Sequence, residues 1–312
     1  MQVRVAGECL GGCAGCEMSL LNLGEGLLDL LPRLSFVHLP LLMDHKYYGP
    51  LGQGDLDRPQ LPAADLGLVS GGVRTAEHLA VLQAMREKCR VLVALGTCAT
   101  HGGIPALANE SPLAALTERV FRTSESTDPA PDPTETVPSL LPRVLALDEK
   151  VAVDVYLPGC PPHPGQIAQT LTAALEGNAP NLAGKSVCDT CPTVREGKGS
   201  LKKVRRFLQN AVYDPDKPLD QMRCLLEQGL VCLGPVTRAG CAGPGGAAPR
   251  CLAARVPCRG CYGPVRQGGN QLLDFLNALA SNAVSPRDLV DPSSLLRFSG
   301  AHGHLRPRPA KR

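Results

Sequence analysis

Apolar runs of strand length alternate with helical patterns through the first half of this sequence. The runs cover residues 3–6, 36–42, 66–69, 91–95 and 151–157. Between them, apolar side chains repeat at helical spacing at Leu20, Leu23, Leu27 and Leu31, and again at Leu79, Leu82 and Met85. Such alternation is typical of a parallel sheet with helices on both faces. We therefore predict an α/β fold built on a doubly wound parallel sheet.

Two further segments are predicted from their proline, glycine and polar residues. Residues 164–176 begin with a proline suited to a first helical turn and are followed by Gly177, so they are predicted to form a helix. Residues 109–150 are rich in Ser, Thr, Asp and Pro, which predicts a surface excursion before the last strand.

Three of the predicted strands run into cysteines. The run at 3–6 precedes Cys13 and Cys16, the run at 91–95 precedes Cys98, and the run at 151–157 precedes Cys160. The carboxyl ends of parallel strands meet at one edge of a sheet, so thiols about 150 residues apart are expected to share one site. Four thiolates are the ligand set of a [4Fe–4S] cubane, and flanking glycines let backbone amides approach such an anion.

Other interpretations of this loop remain open from spacing alone. The Cys13/Cys16 spacing also occurs in thioredoxin-like redox pairs and in zinc sites. The glycines of the loop fit neither the dinucleotide-binding nor the P-loop pattern. Cys9 lies in the same loop and could compete as a ligand, but we interpret Cys9 and Cys89 as structural or free thiols.

Cysteine usage and hydropathy bear on the compartment. The chain has 14 cysteines, and no apolar run approaches the roughly 18 residues of a membrane span. Its N-terminal residues have the pattern of a strand rather than that of a signal peptide. We therefore expect a cytoplasmic protein with no membrane span, in which thiols serve as metal or redox ligands rather than as disulfides.

Charge is divided unevenly along the chain. Residues 1–180 carry 12 basic and 20 acidic side chains, whereas the remainder carries 20 basic and 9 acidic ones. This shift predicts a domain boundary near Asn181. Aromatic residues make up only 3% of the chain and no RNP-type motif is present, so no nucleic-acid partner is expected despite the basic second half.

The second half contains eight further cysteines, which is enough for two sets of four. They are Cys188, Cys191, Cys224, Cys232, Cys241, Cys251, Cys258 and Cys261. Two pairs have Cys-x-x-Cys spacing, but the gap between those pairs is far longer than in a zinc ribbon, and the bacterial ferredoxin run is missing. Spacing alone leaves both zinc and iron–sulfur clusters open.

Five ordered motifs resemble those of the small, electron-transferring subunit of [NiFe] hydrogenases. They are Cys13-Ala-Gly-Cys16-Glu17, Gly96-Thr-Cys98-Ala-Thr-His101, Pro158-Gly-Cys160-Pro-Pro162, Gln228-Gly-Leu-Val-Cys232-Leu-Gly-Pro235 and Pro257-Cys258-Arg-Gly-Cys261-Tyr-Gly-Pro264. The resemblance extends to about Asn282. It is strongest to the cytoplasmic F420-non-reducing type, which passes electrons to a heterodisulfide reductase, and the NAD(P)-linked sulfhydrogenase small subunit is also similar.

The resemblance implies three [4Fe–4S] clusters, each with its own four cysteines. The proximal set is Cys13, Cys16, Cys98 and Cys160; the medial set is Cys241, Cys251, Cys258 and Cys261; the distal set is Cys188, Cys191, Cys224 and Cys232. Cys188 stands where many relatives have a histidine ligand. Cys251 stands where some periplasmic relatives have proline and keep only a [3Fe–4S] centre, so its presence implies a third cubane.

Two polar residues beside the proximal ligands are further candidates. Glu17 and His101 could hydrogen-bond near that cluster, contact a partner or relay protons. No catalytic residue is expected in this chain, because the resemblance places hydrogen cleavage in a separate large subunit. No nickel, flavin or nucleotide is expected to bind to this chain.

The expected architecture has three parts. A flavodoxin-like doubly wound domain over 1–180 would hold the proximal cluster, a smaller loop-rich iron–sulfur domain over 181–282 the other two, and 283–312 would form a tail. The expected partners are a [NiFe] hydrogenase large subunit and an electron-acceptor subunit of the heterodisulfide reductase type or an NAD(P)-reducing flavoprotein. The alternatives are a sulfhydrogenase-type small subunit, a complex I-like electron-transfer subunit without hydrogenase activity, and a zinc-stabilised interaction protein.

Overall fold

Five parallel strands form the central sheet of the protein, seen in a computed structural model. In spatial order they are β2 (Leu34–His38), β1 (Val3–Cys9), β3 (Ala64–Ser70), β5 (Cys89–Leu95) and β7 (Val155–Leu157). When only the five strands of this sheet are numbered along the chain, their spatial order is 2-1-3-4-5. Flavodoxin-like doubly wound folds have the same order, so the predicted α/β class is confirmed. The structure describes residues 2–48, 58–135, 137–182, 184–201, 203–204, 216–285, 289 and 291–307.

The sheet is buried on both faces, as parallel sheets require. Helix α3 (Ala76–Lys88) covers one face, where Leu82 and Met85 are fully buried. The other face packs against α1 (Gly15–Leu21), α2 (Glu25–Leu30) and α6 (Pro164–Leu175). Helix α6 confirms the predicted helix, with a proline in its first turn and Gly177 at a φ of +71° after its end.

Two predicted elements differ from the observed ones. The leucine repeat after Cys16 does not form one helix, because Gly24 adopts φ +59° and ψ −130° and separates α1 from α2. The second strand ends at His38, and Leu41 and Leu42 lie exposed in the turn that follows. The apolar run alone did not reveal where the strand leaves the sheet.

The predicted surface excursion over 109–150 is only partly a surface feature. It contains α5 (Leu113–Phe121) and β6 (Leu140–Leu145), and β6 pairs antiparallel with β4 (Val73–Thr75). The Asn109 side chain hydrogen-bonds to the backbone of β6. Its amide group donates to the Val144 carbonyl at 2.9 Å, and its carbonyl oxygen accepts from the Val144 amide at 2.7 Å. Part of this polar segment is therefore built into the core.

The chain beyond residue 184 is rich in loops, as predicted. Its longest described helix is α8 (Gln271–Ala280), and the four-residue α7 (Arg250–Ala253) and several 3₁₀ turns account for the other helical segments described. Two small apolar clusters organise it, and one of them includes the buried Cys232 and Cys258 side chains. No helix in the described part of the chain is long and apolar enough to cross a membrane.

Candidate metal centres

The proximal set lies at the carboxyl edge of the sheet, after β1, β5 and β7. Cys16 is in α1, Cys98 is in the short helix α4 (Gly96–His101) that follows β5, and Cys160 follows β7. Burial raises the pKa of the Cys16 thiol, and charges on Glu17, Cys98, Cys160 and Cys13 raise it further. Because such coupling requires short separations, the structure brings these four thiols together.

Glycines leave space beside two of the proximal sulfurs. Gly96 adopts φ +86°, and a Cβ added there would collide with the Cys16 sulfur. Gly103 adopts φ +53°, and a Cβ there would lie 2.6 Å from the Cys98 sulfur. Only glycine combines these left-handed conformations with the required clearance. The backbone thus forms a close-fitting cradle around the sulfurs of Cys16 and Cys98.

The medial set surrounds a single cavity. Cys241, Cys251, Cys258 and Cys261 all line it, together with Cys160 of the proximal set. Burial, with smaller contributions from charges on Cys241 and Cys251, raises the pKa of Cys261 to about 12. The cavity therefore joins four thiols that the sequence separates by up to 20 residues.

The distal set converges in the same way. Burial raises the pKa of Cys188, and charges on Cys232, Cys224 and Cys191 add to that effect. A Cβ added to Gly234 would lie 3.1 Å from the Cys188 sulfur and 3.6 Å from the Cys232 sulfur. A glycine therefore faces two sulfurs here as well.

The donor chemistry of the three sets fits iron–sulfur clusters. Buried thiols with raised pKa values are neutral at pH 7 by themselves, and bound iron stabilises the thiolate form. In the described residues no three Cys, His, Asp or Glu side chains converge closely enough to hold one metal ion. A cubane presents four separate irons, so its thiolates stand farther apart than those around a single ion. Ligation by these twelve cysteines stays a prediction.

The two unassigned cysteines have different surroundings. Cys89 begins β5, is 3% exposed and packs against Gly67, where an added Cβ would lie 2.7 Å from its sulfur. Cys9 is half-buried at the end of β1, and it contributes a small increase to the pKa of the Cys98 thiol. Cys89 is thus a core residue, whereas Cys9 borders the proximal set.

Glu17 and His101 are both buried beside the proximal set. One carboxylate oxygen of Glu17 accepts a hydrogen bond from the Ser70 hydroxyl at the end of β3. Burial, with a smaller effect from the charge of His302, lowers the pKa of His101 to about 3, so its ring is neutral at pH 7. No sequence signal pointed to Ser70, whose role appears only when β3 and α1 are placed side by side.

The C-terminal segment contacts the same region. The Ala301 amide donates to the His101 carbonyl at 3.1 Å, and the His302 ring lies 2.7 Å from a carboxylate oxygen of Asp148. The sequence alone predicts a tail over 283–312, and only the two histidines at 302 and 304 hint at packing against other groups. The described part of that segment covers the end of α4.

Several known proteins resemble this chain in sequence. The family model described as "NADH ubiquinone oxidoreductase, 20 Kd subunit" matches residues 13–174. The iron-sulfur subunit of the F420-non-reducing hydrogenase of Archaeoglobus profundus is 37% identical, over 90% of this chain and 88% of its own. A vhu subunit of the F420-non-reducing hydrogenase of Methanocaldococcus jannaschii is 35% identical, over 96% of this chain and 95% of its own.

The chain belongs to the iron–sulfur subunit family of the F420-non-reducing hydrogenases. A solved NAD+-reducing [NiFe]-hydrogenase in the H2-reduced state has a similar chain, with a TM-score of 0.53 and 35% identity, covering 63% of this chain and all of that one. The protein is therefore a small electron-transfer subunit of a hydrogenase, and its cysteines fit iron–sulfur binding. Family membership favours iron over the zinc-stabilised alternative.

The cradle around the proximal sulfurs predicts the effect of one added methyl group. Gly96→Ala should remove about four irons per chain, because its Cβ would occupy the position of the Cys16 sulfur at a φ that alanine resists. Gly177→Ala is the matched control, since Gly177 also has positive φ but faces open space. Iron and sulfide analysis of the anaerobically purified variants measures both. Full iron content in Gly96→Ala would contradict the cradle.

Proposed function

We propose that this protein conducts electrons between the Ni-Fe centre of a separate large subunit and an acceptor module. When bound, three [4Fe–4S] clusters supply one-electron redox centres at the proximal, medial and distal sets. The observation that carries the proposal is the cavity lined by the four medial cysteines together with Cys160 of the proximal set. Hydrogen oxidation yields two protons and two electrons, and both electrons must leave through this chain to the acceptor.

Contacts between the sets support an order with the medial set in the middle. Cys160 of the proximal set lines the medial cavity. At the other side, the amide of the medial Cys258 donates to the sulfur of the distal Cys232 at 3.2 Å. Each neighbouring pair of sets is therefore joined through protein atoms in direct contact.

The exposed surface beside the proximal set supports docking of the large subunit there. Cys13 and Cys160 are exposed, although thiolate ligands of a cluster need shielding from water. Met18 and Ile104 are 51% and 43% exposed, and they flank the proximal ligands in sequence. Covering these apolar side chains with a partner would remove their surface from water, which is favourable. A partner that covers them would also shield the proximal ligands.

The distal set would face the acceptor module. We propose a heterodisulfide reductase-type flavoprotein assembly as the acceptor, in accordance with the F420-non-reducing family. An NAD(P)-reducing flavoprotein, as in sulfhydrogenase-type enzymes, is the second candidate, and a structure of an NAD+-reducing enzyme resembles this chain. Nickel, flavin and nucleotide would then be held by the partner chains.

Cys251 determines the type of medial cluster. We expect Cys251→Pro to convert that centre toward a [3Fe–4S] form, because three medial cysteines remain. An oxidised [3Fe–4S] centre gives an EPR signal, whereas an oxidised cubane is silent. Cys89→Ala is the control, since this core thiol should leave the oxidised protein silent. Silence of the oxidised Cys251→Pro protein with full iron content would refute the assignment of Cys251.

Distal variants separate electron conduction from hydrogen chemistry. In a complex that still assembles, Cys188→Ala or Cys224→Ala should slow hydrogen-dependent reduction of the acceptor about tenfold or more. Loss of residues that support a metal site typically lowers activity by at least this factor. Hydrogen/deuterium exchange should survive, since it requires no net electron to leave. Cys16→Ala should impair both reactions, because the proximal set lies at the proposed subunit junction.

Two outcomes would contradict this conduction role. One is a matching loss of exchange and acceptor reduction in distal variants that assemble normally. The other is normal acceptor reduction after loss of the distal cluster, verified by iron content. Cys89→Ala again serves as the control for a buried cysteine outside the three sets.

A further inference from the structure

Thr97 lies where the proximal and medial sets meet. It is the second residue of α4, is only 1% exposed, and directly precedes the proximal ligand Cys98. Its side chain cannot reach solvent, so its hydroxyl must find partners within the protein. Those partners belong to two other ligand loops.

Three hydrogen bonds tie Thr97 to those loops. Its amide donates to the Gly159 carbonyl at 2.9 Å, and its hydroxyl accepts from the Gly159 amide at 2.8 Å. The same hydroxyl donates to the Cys261 carbonyl at 2.6 Å. Gly159 precedes the proximal ligand Cys160, and Cys261 is itself a medial ligand. One buried hydroxyl thus connects three ligand-bearing loops from two sets.

A second contact fastens the same two loops a few residues farther along. The phenol oxygen of Tyr262 accepts a hydrogen bond from the His163 amide at 2.7 Å. Tyr262 is 2% exposed, and a Cβ added to Gly240 would lie 2.6 Å from its ring. The Cys160 loop and the Cys261 loop are therefore held together at two points, by Thr97 and by Tyr262.

Cys160 and Cys261 lie between these two points, and both line the medial cavity. At the next junction, the amide of the medial Cys258 donates to the sulfur of the distal Cys232 at 3.2 Å. There, the peptide N–H of a ligand of one set contacts a ligand sulfur of the neighbouring set. Hydrogen bonds to cluster sulfurs stabilise the more negative, reduced form and so raise its potential.

We propose that Thr97 is a positioning residue that holds the backbone of the Cys160 loop against the medial ligand Cys261 and thereby sets the potential of the medial cluster. The inference rests on the proposed function, since it requires clusters at both sets. The hydroxyl acts as donor and acceptor at once, which among side chains of this size only Thr and Ser can do. Valine has the shape of threonine but would leave the Gly159 amide and the Cys261 carbonyl without this partner.

The test compares threonine variants in the complete anaerobic hydrogenase complex by EPR-monitored redox titration. Thr97→Val should retain full iron content but shift the medial midpoint potential to a more negative value and alter the magnetic interaction between proximal and medial clusters. Thr97→Ser should restore both properties to those of the wild type. Thr100→Val is the matched control, because among the described residues this buried hydroxyl on the same helix bonds only within α4, to the Gly96 carbonyl at 3.2 Å.

A medial potential in Thr97→Val equal to that of the wild type would overturn the role, as would an equal shift in Thr100→Val or a failure of Thr97→Ser to restore it. If Thr97→Val does not assemble, Tyr262→Phe removes the other fastening and should shift the medial potential in the same direction. An unchanged medial potential in Tyr262→Phe would then count against the role. Absence of a medial signal from the wild-type complex would instead overturn the proposed function.

Discussion

Burial of cysteine thiols is the physical constraint that governs the rest of this structure. Burial raises the pKa of Cys98, Cys232 and Cys261, one thiol in each set, to about 12. Gathering four such groups as anions is costly without a compensating positive charge. Iron supplies that charge, so cluster binding and folding of the surrounding loops are coupled. The protein contributes glycines, which have no side chain and therefore let the backbone and its amides lie close to the sulfurs.

The parallel sheet makes the first of these sets possible. Residues separated by most of the first half of the chain meet because β1, β5 and β7 end at the same edge. The second half has no such sheet among its described residues and is organised by small apolar clusters in which the cysteines themselves take part. The two halves meet where Cys160 lines the medial cavity and where Thr97 reaches Cys261.

Much of the first half was predictable because its signals are local and periodic. The strands, α3 and α6 follow from hydrophobic period and from proline and glycine at helix ends. The break at Gly24 was missed, since a leucine repeat continues across it and only the backbone conformation ends the helix. Strand β6 was missed because its partner is the short β4 and because Pro142 and Arg143 interrupt its apolar residues.

The candidate site divides in the same way. Cysteine spacing and the family motifs indicated which thiols to group, and that grouping stays a prediction. Thr97, Ser70 and the contact of residue 301 with His101 depend on tertiary hydrogen bonds between distant loops. No spacing rule predicts such contacts, because each partner is an ordinary backbone or hydroxyl group.

The proposed electron path requires three cubanes in a row, each on its own four cysteines. Anomalous diffraction at the iron edge, from crystals grown anaerobically, locates the irons directly. About twelve irons in three separate groups of four are expected, with the middle group bordered by Cys241, Cys251, Cys258 and Cys261. Iron in only two groups, or zinc in place of iron at the second-half cysteines, would contradict the proposed path.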